Sequence, residues 1–320
     1  MPAVPIKGSL SVVTGASSGI GEATARLLAA RGSHVVLLAR TSQRLNAIAE
    51  DIRRSGGQAD TYAVDLSDSG ALADTAARVV AIHGNPGILI NNAGAGRWLP
   101  IRDTSAAEAA QMIAVPYLAA FNLTRELLPG MLARRAGHIV NVTSVAARLA
   151  WPGAVAYASA RAAMEGFTNA LRADLYGSGL SVTLAMFGTV ETPFWEHNPG
   201  SRERLPKQAA GIRPLRSEEA AVAITSSIET GRRTIVAPLC FDGSSSSTTC
   251  SPNEPRPPYA RGLEQRAYCF AREVLARVSC LTVRWILRHD QPAPQSLEWA
   301  LSGLTDRLGA PPRADLPARW

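Results

Sequence analysis

The segment Thr14-Gly15-Ala16-Ser17-Ser18-Gly19-Ile20-Gly21 stands between the apolar run Ser9–Val13 and the amphipathic stretch Gly19–Arg31. Glycines so placed, after a strand and opening a helix, can cradle a pyrophosphate. Gly15 permits the tight turn, Gly19 lets backbone amides approach the anion, and Gly21 lets the helix pack close on the sheet. Ser17, Ser18 and Ile20 complete the expected cradle. A dinucleotide reader usually carries a carboxylate ≈ 20 residues further on for the ribose hydroxyls, whereas an arginine there suits a 2′-phosphate. This chain reads Leu38-Ala39-Arg40-Thr41 at that point. Arg40 therefore favours NADP(H) over NAD(H), against the plainer reading of a surface arginine. Asp65 ends the third apolar run, where it either faces the adenine or caps the following helix.

These residues need a scaffold of alternating elements. Strand patterns fall at Ser9–Val13, His34–Leu38, Ala59–Val64, Ile88–Asn91, His138–Val142, Ser181–Met186 and Thr234–Ala237. Helical periodicity falls between them, at Gly19–Arg31, Gln43–Arg54, Gly70–Ile82, Ala106–Arg134, Val155–Tyr176 and Ser217–Thr230. The alternation argues for an α/β, Rossmann-like, doubly wound domain with a parallel sheet over residues 1–239, one domain rather than two. The composition changes near residue 239, leaving residues 240–320 as an atypical C-terminal extension.

Composition narrows the class. The 320 residues are 46% hydrophobic and 18% charged, without a collagen-like period or an apolar run long enough to span a membrane. The segment Met1–Lys7 has no signal-peptide pattern, so the cytoplasm is the expected location. The net charge is +7, yet the basic residues are scattered rather than gathered on one stripe, which argues against a nucleic-acid partner. Lysine is almost absent, with only Lys7 and Lys207 against 31 arginines.

Further motifs join the glycine-rich turn. Asn91-Asn92-Ala93-Gly94 follows the fourth strand, and Ser144 precedes Tyr157 by thirteen residues. With them the chain resembles the short-chain dehydrogenase/reductase family over roughly residues 7–239. The resemblance implies a seven-stranded parallel sheet flanked by helices and a nicotinamide dinucleotide held by the turn, Asn91, Ala93, Gly94, Gly188, Val190 and Thr192. It also implies that Ser144 orients the substrate oxygen and Tyr157 moves a proton. Hydride transfer at carbon leaves an oxygen that must gain or lose that proton. A free tyrosine ionises near pH ~10, so a fixed neighbouring cation is needed to favour the ionised form.

Three positions depart from the family pattern. In Tyr157-Ala158-Ser159-Ala160-Arg161, arginine replaces the lysine that in the family lies one helical turn after the tyrosine and binds the nicotinamide ribose. Arg161 keeps the charge and can bond ribose hydroxyls, but a guanidinium does not relay protons under working conditions. Pro116 stands where the family has an asparagine at an irregular helical turn, and is expected to kink the helix there while keeping its carbonyl. Phe187-Gly188 replaces the usual proline-glycine.

Two functions follow. One is an NADP(H)-dependent oxidoreductase interconverting an alcohol and a carbonyl compound, with Ser144, Tyr157 and Arg161 as its machinery. The other is a dinucleotide-binding protein with a structural or sensing role. The resemblance also implies a mobile segment over the substrate between Thr192 and Ser217, and a homodimer or homotetramer. Phe187, Phe194, Trp195 and Trp151 are candidates to line a pocket for a hydrophobic substrate, or simply core.

None of the five histidines has metal-ligand spacing with a cysteine or another histidine, so no metal is expected. In the extension, residues 261–288 read as an amphipathic helix suited to a membrane surface or a partner, while the whole of residues 240–320 reads equally as the product of a shifted reading frame or a poorly ordered extension. Its four cysteines suggest no disulfide framework.

Overall fold

A computed structural model describes residues 4–238 apart from 95, 150, 207, 208, 210 and 211. The expected amphipathic helix and the other expectations for the extension lie outside the described residues. Seven strands form one parallel sheet in the order β3-β2-β1-β4-β5-β6-β9. They are β1 (Leu10–Thr14), β2 (His34–Ala39), β3 (Gln58–Ala63), β4 (Ile88–Asn91), β5 (Gly137–Ser144), β6 (Leu180–Phe187) and β9 (Thr234–Ala237). Two short strands, β7 (Val190–Glu191) and β8 (Leu215–Arg216), pair with each other near the carboxyl end of β6.

The central strands are covered on both faces, and every residue of β5 and β6 is buried. Helices cover both sides, so even the polar residues of these strands, such as His138, Asn141 and Thr183, are buried and find hydrogen-bond partners inside. One apolar layer joins β1, β2, β5 and β6 to α1 (Gly19–Ala30), α2 (Ser42–Arg54) and α8 (Ser217–Thr230). The other joins the opposite face to α3 (Ser69–His83), α5 (Ala119–Arg134) and α6 (Val155–Asp174). The strand order reverses between β1 and β4. In open α/β sheets, ligands bind at such a switch, outside the carboxyl ends of the strands.

The periodic stretch 106–134 is not one uniform helix. It runs as α4 (Ala106–Ile113), a π-helical turn Ala114–Leu118, and α5. Pro116 is buried inside the π turn, and the Ala119 amide donates to the Ala114 carbonyl, five residues back. A proline lacks the amide that a regular α-helix needs, so the expected interruption occurs at this residue.

Candidate active site

The glycine-rich turn is built for close backbone approach. Gly15 and Gly19 adopt φ of 64° and 56°, a region that L side chains rarely enter. A Cβ on Gly15 would lie 2.9 Å from Ala93 Cα, and one on Gly21 would collide with the Gly15 carbonyl. Thr14 ties the turn to the Asn91–Gly94 segment: its Oγ1 accepts from the amides of Asn92 and Ala93, each at 3.0 Å. The Asn92 side chain donates back to the Thr14 carbonyl at 3.1 Å. Ser18 is the N-cap of α1, and its hydroxyl makes no capping bond. Ser17, Ser18 and Gly19 line a groove of about 540 Å³ together with Arg26, Arg44 and Pro193.

The remaining cofactor candidates occupy different settings. Arg40 is exposed just beyond β2. Asp65 is also exposed, and its carboxylate accepts from the amide and hydroxyl of Ser67, which hold it below the usual carboxylate range with help from the Arg40 charge. The cap of α3 is Asp68, whose Oδ1 accepts from Gly70 and Ala71, so the capping alternative for Asp65 is set aside. The Asn91 side chain faces inward, donating to Asn141 at 2.9 Å and to Thr124 at 3.1 Å, while Asn141 donates to Thr168 at 3.0 Å. Both bonds from Asn91 use its Nδ2, and its Oδ1 is buried without a hydrogen-bond partner among the described residues. Thr192 packs against the turn: a Cβ on Gly19 would lie 3.0 Å from its methyl group. Gly188 donates its amide to the Ala237 carbonyl, and Val190 is buried in β7.

Ser144 ends β5, and its hydroxyl accepts from the Ala146 amide at 3.2 Å. An accepted bond leaves the hydroxyl proton available to a second partner. Tyr157 and Arg161 lie one turn apart on α6 and are both buried. The Arg161 guanidinium sits over the Tyr157 ring, its Cζ 4.8 Å from the centroid. It also presses on Gly94, where a Cβ would collide with Nη2. Its Nε is buried without a hydrogen-bond partner among the described residues. Arg161 is thus packed against the bare backbone at Gly94 and the aromatic face of Tyr157.

Aromatic residues close over the tyrosine. Trp98 is 4% exposed, with its ring centroid 5.0 Å from Trp151, 5.4 Å from Tyr157 and 5.5 Å from Trp195. Phe194 stands 6.1 Å from Tyr157. The segment after Thr192 is fastened here, since the Trp98 amide donates to the buried Ser201 hydroxyl at 2.9 Å and Trp195 Nε1 donates to the Val190 carbonyl. Phe187 does not belong to this cluster. Its side chain is 2% exposed within the core layer beneath α1 and α8, so it is packing rather than pocket lining. Trp98 escaped the sequence reading because it lies in a loop without periodicity; its place four residues after the Asn91–Gly94 turn was the available signal.

A family model described as short chain dehydrogenase matches residues 10–202. The chain belongs to that family. Among its relatives, an uncharacterized oxidoreductase of Mycobacterium tuberculosis is 38% identical over 218 residues, covering 65% of this chain and 63% of the relative. A fatty acyl-CoA reductase of Acinetobacter baylyi is 32% identical over 190 residues, covering 59% and 64%. The chain thus matches just under two thirds of the length of these curated relatives. Among solved structures, a short-chain dehydrogenase/reductase from Burkholderia phymatum in complex with NAD aligns with a TM-score of 0.69 at 25% identity, over 74% of this chain and 92% of that one. A metagenomic short-chain oxidoreductase in complex with NADP aligns with a TM-score of 0.62 at 31% identity, over 73% and 98%. Short-chain dehydrogenase architecture and structural neighbours that hold a nicotinamide dinucleotide accord with the site described above.

Proposed function

We propose that this chain is an NADP(H)-dependent oxidoreductase that interconverts an alcohol and a carbonyl compound. The observation that carries the reading is the buried Arg161 guanidinium stacked on Tyr157 beside Gly94. A cation this dry is costly unless its charge is used, and burial strengthens its interaction with a neighbouring ring. The residues fit a dinucleotide: the turn leaves a cradle that a Cβ would fill, and Arg161 Nε–H is a buried donor without an acceptor among the described residues, suited to a ribose hydroxyl. When bound, the nicotinamide donates or accepts the hydride.

The chain's own residues do the rest. Ser144 donates its free hydroxyl proton to the substrate oxygen and orients it. Tyr157 gives that oxygen a proton in reduction and takes one in oxidation, and Arg161 is its electrostatic partner. Arg40 supplies the charge that favours a 2′-phosphate. Trp98, Trp151, Phe194 and Trp195 exclude water around the hydroxyl and favour a hydrophobic substrate.

No helix among the described residues is long and apolar enough to cross a membrane. A cytoplasmic location accords with this reading, as does a homodimer or homotetramer built on α5 and α6, where Phe121 of α5 and the neighbouring Leu118 of the π turn are each 43% exposed. The purified protein, tested with NADPH and NADH against a panel of hydrophobic aldehydes and ketones, should reduce at least one with NADPH preferred. Dinucleotide binding with no turnover across the panel would instead support the binding-protein reading.

A further inference from the structure

Parallel strands place their amino ends at the edge of the sheet opposite the glycine-rich turn, and three ligand-type side chains meet there. His34 opens β2, Asp60 is the third residue of β3, and His83 ends α3. Their nearest ligand atoms all lie within 4.8 Å of one another. His34 Nε2 is 2.6 Å from Asp60 Oδ2, and His83 Nδ1 is 3.9 Å from the same oxygen. The two imidazoles stand edge to face with centroids 5.1 Å apart. The sequence conceals this cluster, because its members come from three elements and are separated by more than twenty residues.

We propose that His34, Asp60 and His83 bind a divalent transition-metal cation of the Zn²⁺ type. Two imidazoles and one carboxylate make a ligand set that such cations accept, with solvent completing the shell. Bonds of about 2.0–2.1 Å in a tetrahedral arrangement set ligand atoms about 3.3 Å apart. The present separations bracket that value, so small side-chain rotations bring the three atoms into place.

The surroundings orient the ligands. His83 Nε2 is 2.9 Å from the Tyr62 hydroxyl, a partner that can accept the Nε2 proton when Nδ1 holds a metal. Tyr62 lies on the same face of β3 as Asp60, two residues on, and is itself buried. His83 occupies the last turn of α3, where the carbonyl end of the helix favours a cation. Arg53 approaches the other carboxylate oxygen, Asp60 Oδ1, at 3.6 Å and leaves Oδ2 to the metal. The side chains of His34, Asp60 and His83 are 29%, 41% and 10% exposed, which leaves an entry path on one side. A bound cation would clip edge strand β3 and its neighbour β2 to α3.

The test uses the full chain, freed of metal by a chelator, titrated with Zn²⁺ against a chromophoric competitor and separately with Co²⁺. One equivalent is expected to bind with loss of at least about tenfold in affinity in His34→Gln and His83→Gln, and of about 10–100-fold in Tyr62→Phe through the orienting bond. The unmodified protein with one equivalent of Co²⁺ should show d–d absorption without the thiolate charge-transfer band that the chain's cysteines would produce. That spectrum requires no folded variant. Either a thiolate band in this first equivalent, or titrations unchanged by the histidine substitutions, would overturn the proposal and leave His34 and Asp60 as a hydrogen-bonded pair only.

Discussion

The Arg161 guanidinium lies over the ring of Tyr157, 4.8 Å from its centroid, and both side chains are more than nine-tenths buried. Residues four apart on a helix share a face, so this contact follows from the placement of Tyr157 and Arg161 on α6. Gly94 completes it by presenting bare backbone to the guanidinium.

Tyr157→Phe keeps the ring that Trp98, Phe194 and Arg161 pack against and removes only the hydroxyl. Turnover should fall by about 10²–10⁴-fold, the usual contribution of a positioned acid or base, with melting temperature and dinucleotide affinity nearly unchanged. Steady-state kinetics beside a thermal melt checks this.

Arg40→Ala removes the exposed cation beyond β2. A hydrogen bond to a charged group contributes about 1.5–3 kcal/mol, so NADPH affinity should drop by about 10–100-fold while NADH affinity barely moves. Fluorescence titration with both dinucleotides separates the two; equal losses would remove Arg40 from the 2′-phosphate.

Gly21→Ala would drive a methyl group into the Gly15 carbonyl and to 2.5 Å from Asn92 Nδ2. Because those atoms hold the turn against the Asn91–Gly94 segment, dinucleotide affinity should fall at least about tenfold. Overpacking of this kind costs about 1–3 kcal/mol of stability. Calorimetric titration and denaturant unfolding read the two effects.

Stability should depend on His138 in acid. Burial in β5 pushes its pKa down to about 4 from the ordinary value of 6.5. Thr183 donates its hydroxyl to the Arg232 carbonyl, so His138 Nε2 donates to Thr183 at 2.8 Å and Nδ1 is the bare nitrogen. Between pH 6.5 and 4 the unfolded chain binds the proton and the folded one does not. Unfolding free energy should therefore decrease as the pH falls through that window, by about 3 kcal/mol, and be independent of this group above it. His138→Asn should flatten this part of the profile in urea melts.

Most of the scaffold was legible because its signals are local. Thr234–Ala237 and Ser217–Thr230 lie where the apolar patterns place them, and the turn after β1 combines a strand, three glycines and a helix start within a dozen residues. The interruption at Pro116 was legible for the same reason, a missing amide. Pairings between distant segments were not. Val190–Glu191 and Leu215–Arg216 are too short to show alternation, and Phe187 carries no mark that assigns it to the core beneath α1 and α8 rather than to the substrate side. Trp98 meets Tyr157 in a cluster whose members come from distant segments, with its loop tied to Ser201 about a hundred residues later. His34, Asp60 and His83 likewise converge only through the pairing of β2 with β3 and the packing of the end of α3 beside them.

The most direct measurement compares turnover of the native protein with Arg161→Lys and Arg161→Met, each at saturating NADPH. If a permanent charge beside Tyr157 sustains the chemistry, lysine should hold activity within about tenfold, and the uncharged, similarly long methionine should lose about a hundredfold or more. Equal activity in Arg161→Met and the native protein would contradict the account.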